Sequence, residues 1–188
     1  YAIETSDRTI EDAIVGADLF MGLSGPGVLN GDLLKKMGEK PIILAMSNPI
    51  PEIMPEDAIA ARPDAILATG RSDYPNQVNN VLCFPFIFRG ALDCGASTIN
   101  EEMKMAASMA IAKLAHEPVP ESVSKAMDGR TFEFGREYVV PTPFDPRLME
   151  RIACAVAQAA AASGVAKQPI TDLAASKKTP AEVSMVKN

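Results

Sequence analysis

The chain has 188 residues, of which 47% are hydrophobic and 22% are charged, and its formal net charge is −6. This composition is typical of a globular protein, and the acidic balance excludes the basic surface that nucleic-acid binding requires. No apolar run reaches the roughly 20 residues needed to cross a bilayer, and the first residues lack a secretion signal. We therefore expect a cytoplasmic protein with no nucleic-acid or membrane partner.

The first part of the chain alternates helical and strand-like segments. Helices are predicted at residues 9–15, 31–37 and 55–61, and strands at residues 17–22, 41–46 and 64–68. The first strand is interpreted as buried because its residues are mostly apolar. Such alternation indicates a parallel sheet with crossover helices. We predict an α/β fold with a partial doubly wound, Rossmann-like parallel sheet and additional C-terminal helices.

The sequence becomes mainly helical beyond residue 81. A helix is predicted over residues 81–91, with Pro85 either kinking it or marking its real start. Two longer amphipathic helices are predicted at residues 100–116 and 147–163, with weak strand character at residues 131–141 between them.

Polar loops follow the predicted strands, and the longest one ends in Asn79 and Asn80. The carboxyl ends of parallel strands are where α/β proteins bind ligands, close to the N-terminus of the next helix. An asparagine amide both donates and accepts hydrogen bonds. Neighbouring helical residues point about 100° apart, so the two amides could face two different ligands. The alternative is that both amides only cap the helix that follows.

The two earlier loops carry one candidate residue each. Small residues at positions 22–27 allow a ligand to approach the backbone, and Ser24 can donate to it, although the glycines lack the dinucleotide-binding spacing. In the next loop Pro49 excludes the right-handed helical region for Asn48 and so fixes the direction of its amide. A plain turn is the alternative for both loops.

The sequence predicts neither a catalytic group nor a metal ligand in this chain. His116 is the only histidine, and its place in the last turn of a predicted helix favours contact with carbonyl ends over general-base chemistry. Arg71 and Asp73 are expected to pair and order their loop. The cysteines lack metal-type spacing and are interpreted as structural, reduced thiols; they are Cys83, Cys94 and Cys154.

Several segments resemble the C-terminal part of bacterial-type malic enzymes. They include residues 16–24, 47–52, 68–90, 98–104 and 143–148, and the third contains the run Phe84-Pro85-Phe86-Ile87-Phe88-Arg89-Gly90. The resemblance extends over most of the chain, from residue 1 to residue 175, and residues 69–89 are its most specific part. Ile50 replaces a threonine common in the family, and Cys83 stands where glycine is frequent.

The resemblance implies NAD- or NADP-dependent oxidative decarboxylation of (S)-malate to pyruvate and CO2, aided by Mg2+ or Mn2+, in a homo-oligomer. It implies that Asn48 and Asn80 contact the substrate, and that Ser24, Asn48 and Asn79 lie along the cofactor. The tyrosine acid, the lysine base and the metal-binding carboxylates of the family precede the matched region. This chain alone is therefore expected to be inactive.

The resemblance also implies a domain organisation. Residues 1–96 would form the second half of the NAD(P)-binding domain, residues 97–176 would form helices packed on it, and residues 177–188 would be a mobile tail. Two alternatives stay open. One is another Rossmann-type dehydrogenase, because a fold does not fix a substrate. The other is a noncatalytic interaction module that oligomerises through residues 84–88 and the methionine-rich helix.

Overall fold

The structure is a computed structural model that describes residues 3–127 and 129–168. The described chain forms two compact units. The first contains the residues up to Asn79 and the short segment Gly135–Tyr138, and the second contains Asn80–Phe134 and the residues from Val139 onward. The predicted mobile tail lies outside the described residues, and the functional division between residues 96 and 97 stays a prediction.

The first unit is built around three parallel strands. They are β1 (Leu19–Gly22), β2 (Ile42–Ala45) and β3 (Ile66–Thr69), with β2 in the centre. The register pairs Gly22 with Ala45 and Ala45 with Thr69, so all three strands end side by side at one edge of the sheet. This arrangement confirms the predicted parallel α/β sheet and brings the loops after the strands to a common edge.

The prediction that the first strand is buried is only partly right. Leu19 and Met21 are 48% and 57% exposed, whereas Phe20 packs against the core of the unit. Successive side chains of a strand point to opposite faces of the sheet. Within the described residues β1 therefore has one covered face and one open face, which the apolar composition of the segment does not reveal.

Three short helices complete the first unit. They are α1 (Ile10–Ala13), α2 (Gly31–Leu34) and α3 (Pro55–Ala61). Thr9 and Asp12 form a capping box at the start of α1, and the side chain of Asn30 accepts from two amides at the start of α2. These caps satisfy N–H groups that a helix leaves unpaired. The predicted bounds of α3 are confirmed, whereas α1 and α2 are shorter than predicted.

Arg62 ties the end of α2 to the segment before β3. Its guanidinium group forms an ion pair with Asp64 at 2.8 Å and donates to three main-chain carbonyl groups, those of Leu34, Met37 and Gly38. Asp64 also accepts from the main-chain N–H of Lys40 at 2.8 Å. The hydrogen bond from Arg62 holds the pKa of Asp64 well below its ordinary value.

The second unit is helical. A 3-10 turn at Asn80–Leu82 precedes four helices, namely α4 (Phe84–Asp93), α5 (Glu101–Ala115), α6 (Glu121–Ala126) and α7 (Arg147–Ala162). The core lies where α7 packs against both α4 and α5. The sequence did not predict α6. None of the helices in residues 3–127 and 129–168 is both long enough and apolar enough to cross a membrane.

The predicted helix over residues 81–91 begins later than expected. Pro85 occupies the first turn of α4, and Cys83 is the N-cap residue. Proline is tolerated at this position because the N–H it lacks would have no partner there. Pro85 therefore marks the start of the helix, and neither Asn79 nor Asn80 is its N-cap. The expectation that they stand directly at the start of α4 is wrong, because Asn80 instead begins the 3-10 turn that precedes it.

The predicted strand character at residues 131–141 is also wrong. This region contains a single bridge between Gly135 and Tyr138, closed by mutual main-chain hydrogen bonds of a tight turn. Only Arg136 and Glu137 lie between the two bridged residues, so the chain reverses there in a four-residue turn instead of extending.

The contact between α4 and α7 depends on Gly90. A Cβ atom at this position would lie 2.5 Å from the carbonyl oxygen of Ala153 and 2.8 Å from Cβ of Val156. Nonbonded atoms do not approach that closely in a packed interior. The two helices therefore come together only because position 90 has no side chain.

We expect Gly90→Ala to lower the free energy of unfolding of the second unit by about 1–3 kcal/mol, because overpacking pushes α4 and α7 apart. In an unconstrained helix the same change would raise the free energy of unfolding by about 1 kcal/mol. The sign of the measured change therefore tests the contact between α4 and α7. Native-state hydrogen exchange of the α7 amides measures the effect. Gln158→Ala, at an exposed side chain of α7, is the control. Unchanged or slower exchange in Gly90→Ala would contradict the packing.

Candidate functional site

The loops after β1 and β2 are joined by Glu52. Its carboxylate accepts hydrogen bonds from the main-chain N–H groups of Ser24, at 2.9 Å, and Ser47, at 3.1 Å. Its main-chain carbonyl accepts from the N–H groups of Gly27 and Leu29. The residue is completely buried, and buried carboxylates are tolerated only when hydrogen bonds replace their lost water. A single side chain thus fixes the ends of two neighbouring strands.

Gly22 provides the space that this carboxylate occupies. A Cβ atom at Gly22 would lie 2.4 Å from Cδ of Glu52 and 2.6 and 2.7 Å from its two carboxylate oxygens. Gly22 is the last residue of β1 and is buried. Any side chain at the end of this strand would therefore displace Glu52 from its position between the loops.

The loop after β3 approaches Asn48. A Cβ atom at Gly70 would lie 3.4 Å from Nδ2 and 3.6 Å from Oδ1 of Asn48, so the Asn48 amide lies beside the main chain at the end of β3. Asn48 is exposed, and its peptide bond to Pro49 is cis. The second and third strand-end loops thus meet at this amide, and the first and second meet at Glu52.

The final part of the β3 loop is held against its strand by Asn76. This residue is 5% exposed and has a φ of 54°, a conformation that asparagine tolerates better than most residues. Its side-chain amide donates to the main-chain carbonyl groups of Leu67, at 2.9 Å, and Arg136, at 2.7 Å. Asn79 follows on the same segment and is half-buried. Asn76 therefore anchors the residues that lead to Asn79.

The predicted pairing of Arg71 with Asp73 is confirmed. The guanidinium donates to both carboxylate oxygens, at 2.9 and 2.6 Å, and lies 5.3 Å from the centre of the Tyr74 ring. The Tyr74 hydroxyl donates to Glu56 in α3, and this hydrogen bond raises the pKa of Tyr74. The hydrogen bond from Arg71 lowers the pKa of Asp73. The network orders the loop at the protein surface.

The structure places three of the predicted site residues in the first unit. Ser24 and Asn48 are exposed and Asn79 is half-buried. Asn80 is also exposed, but it is the first residue of the second unit, at the start of the 3-10 turn. Each of these hydroxyl or amide groups can form hydrogen bonds with a ligand, and none of them carries a charge.

Sequence reasoning missed two residues that shape the site, Glu52 and Asn76. Glu52 is an acidic residue in a polar loop, and the neighbouring sequence contains no pattern that predicts its burial. For Asn76 a weak signal existed, because asparagine is enriched at positive φ. Both residues act by fixing main-chain segments.

The histidine and the cysteines, which the sequence analysis did not assign to catalysis, contact other parts of the second unit or are at least partly buried in it. His116 is the C-cap of α5, and its ring stacks on Phe134 at 3.6 Å. The three cysteines are thiols rather than disulfides, and burial raises the pKa of Cys83. Within residues 3–127 and 129–168 no three acidic, cysteine or histidine side chains are grouped as metal ligands.

Comparison with protein families identifies residues 4–125 as matching the model of the malic enzyme NAD-binding domain. The chain is 63% identical over 172 residues to an NAD-dependent malic enzyme of Rhizobium meliloti, covering 92% of this chain. It is 60% identical over 170 residues to an NADP-dependent malic enzyme of Escherichia coli, covering 90% of this chain. In both cases the match spans 22% of the relative's length.

Solved structures agree with these matches. The malic enzyme of Pyrococcus horikoshii superposes with a TM-score of 0.71 at 41% identity, over 86% of this chain and 34% of that structure. The malic enzyme of Entamoeba histolytica superposes with a TM-score of 0.75 at 38% identity, over 89% of this chain and 32% of that structure. The resemblance seen in the sequence is confirmed, and the chain belongs to the malic enzyme NAD-binding domain family.

Proposed function

We propose that this chain is part of an NAD(P)-dependent malic enzyme that converts (S)-malate to pyruvate and CO2. The observation that carries the proposal is the family match over residues 4–125, on a chain whose three polar strand-end loops lie at one sheet edge. Ligands bind at that edge in open α/β sheets. The two curated relatives described above are named for NAD and for NADP, and the proposal covers both cofactors.

We assign the cofactor side of the site to Ser24, Asn48 and Asn79. When bound, the nicotinamide ring supplies the hydride acceptor of the reaction. The loop containing Ser24 offers an open backbone, because Cβ atoms at Gly25 and Gly27 would meet nothing within 4 Å. The main-chain N–H of Ser24 is bonded to Glu52, so its exposed hydroxyl is the group that can donate to the cofactor. This geometry fits a dinucleotide lying across the strand ends.

We assign the substrate side to Asn48 and Asn80. Both side chains are exposed amides, and an amide can donate to a malate carboxylate and accept from its hydroxyl group. Holding the substrate in a defined orientation is a large part of the rate acceleration in such reactions. These residues bind and orient the substrate, and we assign the proton transfers to groups outside this chain.

We propose, from the membership in the malic enzyme family, that the enzyme uses Mg2+ or Mn2+. The described residues contain no group of three potential ligands, and we place the ligands outside this chain. The acid and the base are placed outside it too, so these residues alone are not expected to turn over malate.

We further propose that the enzyme is a cytoplasmic homo-oligomer. One face of α4 supports an interface, because Phe84, Phe88 and Leu92 are 62%, 46% and 77% exposed. They are spaced four residues apart, which places them on the same side of a helix. The rings of Phe84 and Phe88 pack edge to face at 5.0 Å. An apolar surface of this kind is typical of protein contacts.

The proposed function is tested with the full-length protein. We expect it to form pyruvate from (S)-malate when NAD or NADP and Mn2+ are present, as measured by the absorbance of the reduced cofactor and by pyruvate assay. Binding of NAD(P) and malate is measured in parallel by calorimetry. A stable oligomer that binds neither ligand would contradict the proposal and favour a noncatalytic interaction module. Turnover of a different hydroxy acid or amino acid, without malate turnover, would favour another dehydrogenase.

We expect Asn48→Ala and Asn80→Ala to lower kcat/KM for malate in the full-length enzyme by about 10- to 100-fold, through lost hydrogen bonds to a charged substrate. Steady-state kinetics with varied malate measures this. Asn30→Ser is the matched control, because it removes an amide while serine still caps α2. Malate kinetics unchanged from wild type in either alanine variant would remove the role assigned to that residue.

A further inference from the structure

We propose that Glu52 is a positioning residue that couples the two ligand-binding loops of the enzyme. This inference rests on the proposed function, which assigns the cofactor to the loop of Ser24 and the substrate to the loop of Asn48. Glu52 contacts neither ligand in this scheme. It acts through the main chain of both loops.

The carboxylate divides its two oxygens between the two loops. Oε1 accepts from the N–H of Ser24, and Oε2 accepts from the N–H of Ser47, the residue directly before Asn48. Each oxygen thus fixes the main chain at a residue of the site or next to one. A displacement of either loop would break a hydrogen bond or move the carboxylate and with it the other loop.

The chemistry of the contact requires a carboxylate. Two N–H donors converge on one side chain, and a carboxylate offers an acceptor oxygen to each of them. A glutamine of the same length has one acceptor oxygen, and its NH2 group would face the second N–H. Glu52→Gln therefore breaks one of the two loop contacts while it preserves the volume of the side chain.

The burial of Glu52 indicates that its hydrogen bonds to the two loop amides are the reason for an acidic residue at this position. The residue is 0% exposed, and no lysine, arginine or histidine of the described chain forms an ion pair with it. A buried charge without a counter-ion is costly, and an apolar side chain would fill the same space without that cost. What an apolar side chain cannot do is accept from the loop amides.

Gly22 makes the coupling testable from a second direction. The three atoms nearest to a Cβ at this position all belong to the carboxyl group of Glu52, at 2.4–2.7 Å. A methyl group at position 22 would therefore meet the carboxylate first and push it away from the loop amides. Aspartate at position 52 is shorter by one methylene, which leaves room for that methyl group.

The test compares five forms of the full-length enzyme: wild type, Glu52→Gln, Gly22→Ala, Glu52→Asp and the double variant Gly22→Ala/Glu52→Asp. We expect both Glu52→Gln and Gly22→Ala to lower kcat/KM by about 10- to 100-fold for malate and for NAD(P), because misplacement by an ångström has effects of this size. Glu52→Asp should show a loss of the same order, because its carboxylate falls short of the loop amides, and the double variant should lose no more than Glu52→Asp alone, since the shorter side chain leaves room for the methyl group. Glu11→Gln, at an exposed carboxylate of α1, is the control.

The values of kcat/KM for malate and for NAD(P) are measured per mole of folded enzyme, so that a loss of folded protein is not counted as a loss of positioning. Loss for malate alone, or for NAD(P) alone, in Glu52→Gln would overturn the coupling of the two loops. Wild-type activity in Gly22→Ala, or a double variant that loses much more than Glu52→Asp alone, would contradict the claim that Gly22→Ala acts by displacing the Glu52 carboxylate. If Gly22→Ala fails to fold, the yield of folded protein is compared between this variant and the double variant. A double variant that folds no better than Gly22→Ala would overturn the inference. Failure of the proposed function would show in the wild type, whereas failure of this inference shows only in the variants.

Discussion

One buried carboxylate joins the two loops that follow β1 and β2. Parallel strands end in loops that have no ladder hydrogen bonds of their own, so their main-chain groups need other partners. Glu52 supplies four of them, through two carboxylate contacts and two contacts to its main-chain carbonyl. Hydrogen bonds to a charged group contribute about 1.5–3 kcal/mol each. The positions of Ser24 and Asn48 follow from this one residue and from the absence of a side chain at Gly22.

The loop after β3 is held by an uncharged side chain, the amide of Asn76. The Asn76 amide donates to a carbonyl of β3 and to one of the segment Gly135–Tyr138, and the N–H of Val78 donates to the carbonyl of Thr69. The end of the third loop therefore lies beside β3 and is hydrogen-bonded to it. Functional groups on loops are most precise when the loops are supported by a rigid scaffold. Here the candidate side chains are exposed or half-buried, and the main chain that carries them is held by hydrogen bonds.

The sequence predicted the features that depend on local patterns. Alternating strands and helices gave the parallel sheet, and Pro55 at the start of α3 and the apolar stripe of α7 placed those helices almost to the residue. The start of α4 was misplaced because the apolar pattern begins before Pro85, where the chain forms a 3-10 turn instead. Polar candidates at the strand ends were found because ligand sites occur there. The individual roles of those candidates depend on the resemblance to malic enzymes.

The supporting residues of the site could not be predicted in the same way. The burial of Glu52 depends on Gly22, which lies thirty residues earlier in the chain and meets it only in the folded sheet. No periodicity or motif connects the two positions. The same holds for Asn76 and Arg136, which are separated by sixty residues. Long-range contacts of single polar groups are set by tertiary structure, whereas the helices and strands follow from short patterns.

The central claim is that one carboxylate fixes two loops, and hydrogen exchange at the amides of Ser24 and Ser47 tests it most directly. Mass spectrometry with residue-level fragmentation can follow both amides in the full-length protein, in wild type and in Glu52→Gln. Both amides should be protected in the wild type, and at least one should lose protection in the variant while the amides of β2 keep theirs. Rapid exchange of either amide in the wild type, or full protection of both in Glu52→Gln, would contradict the claim.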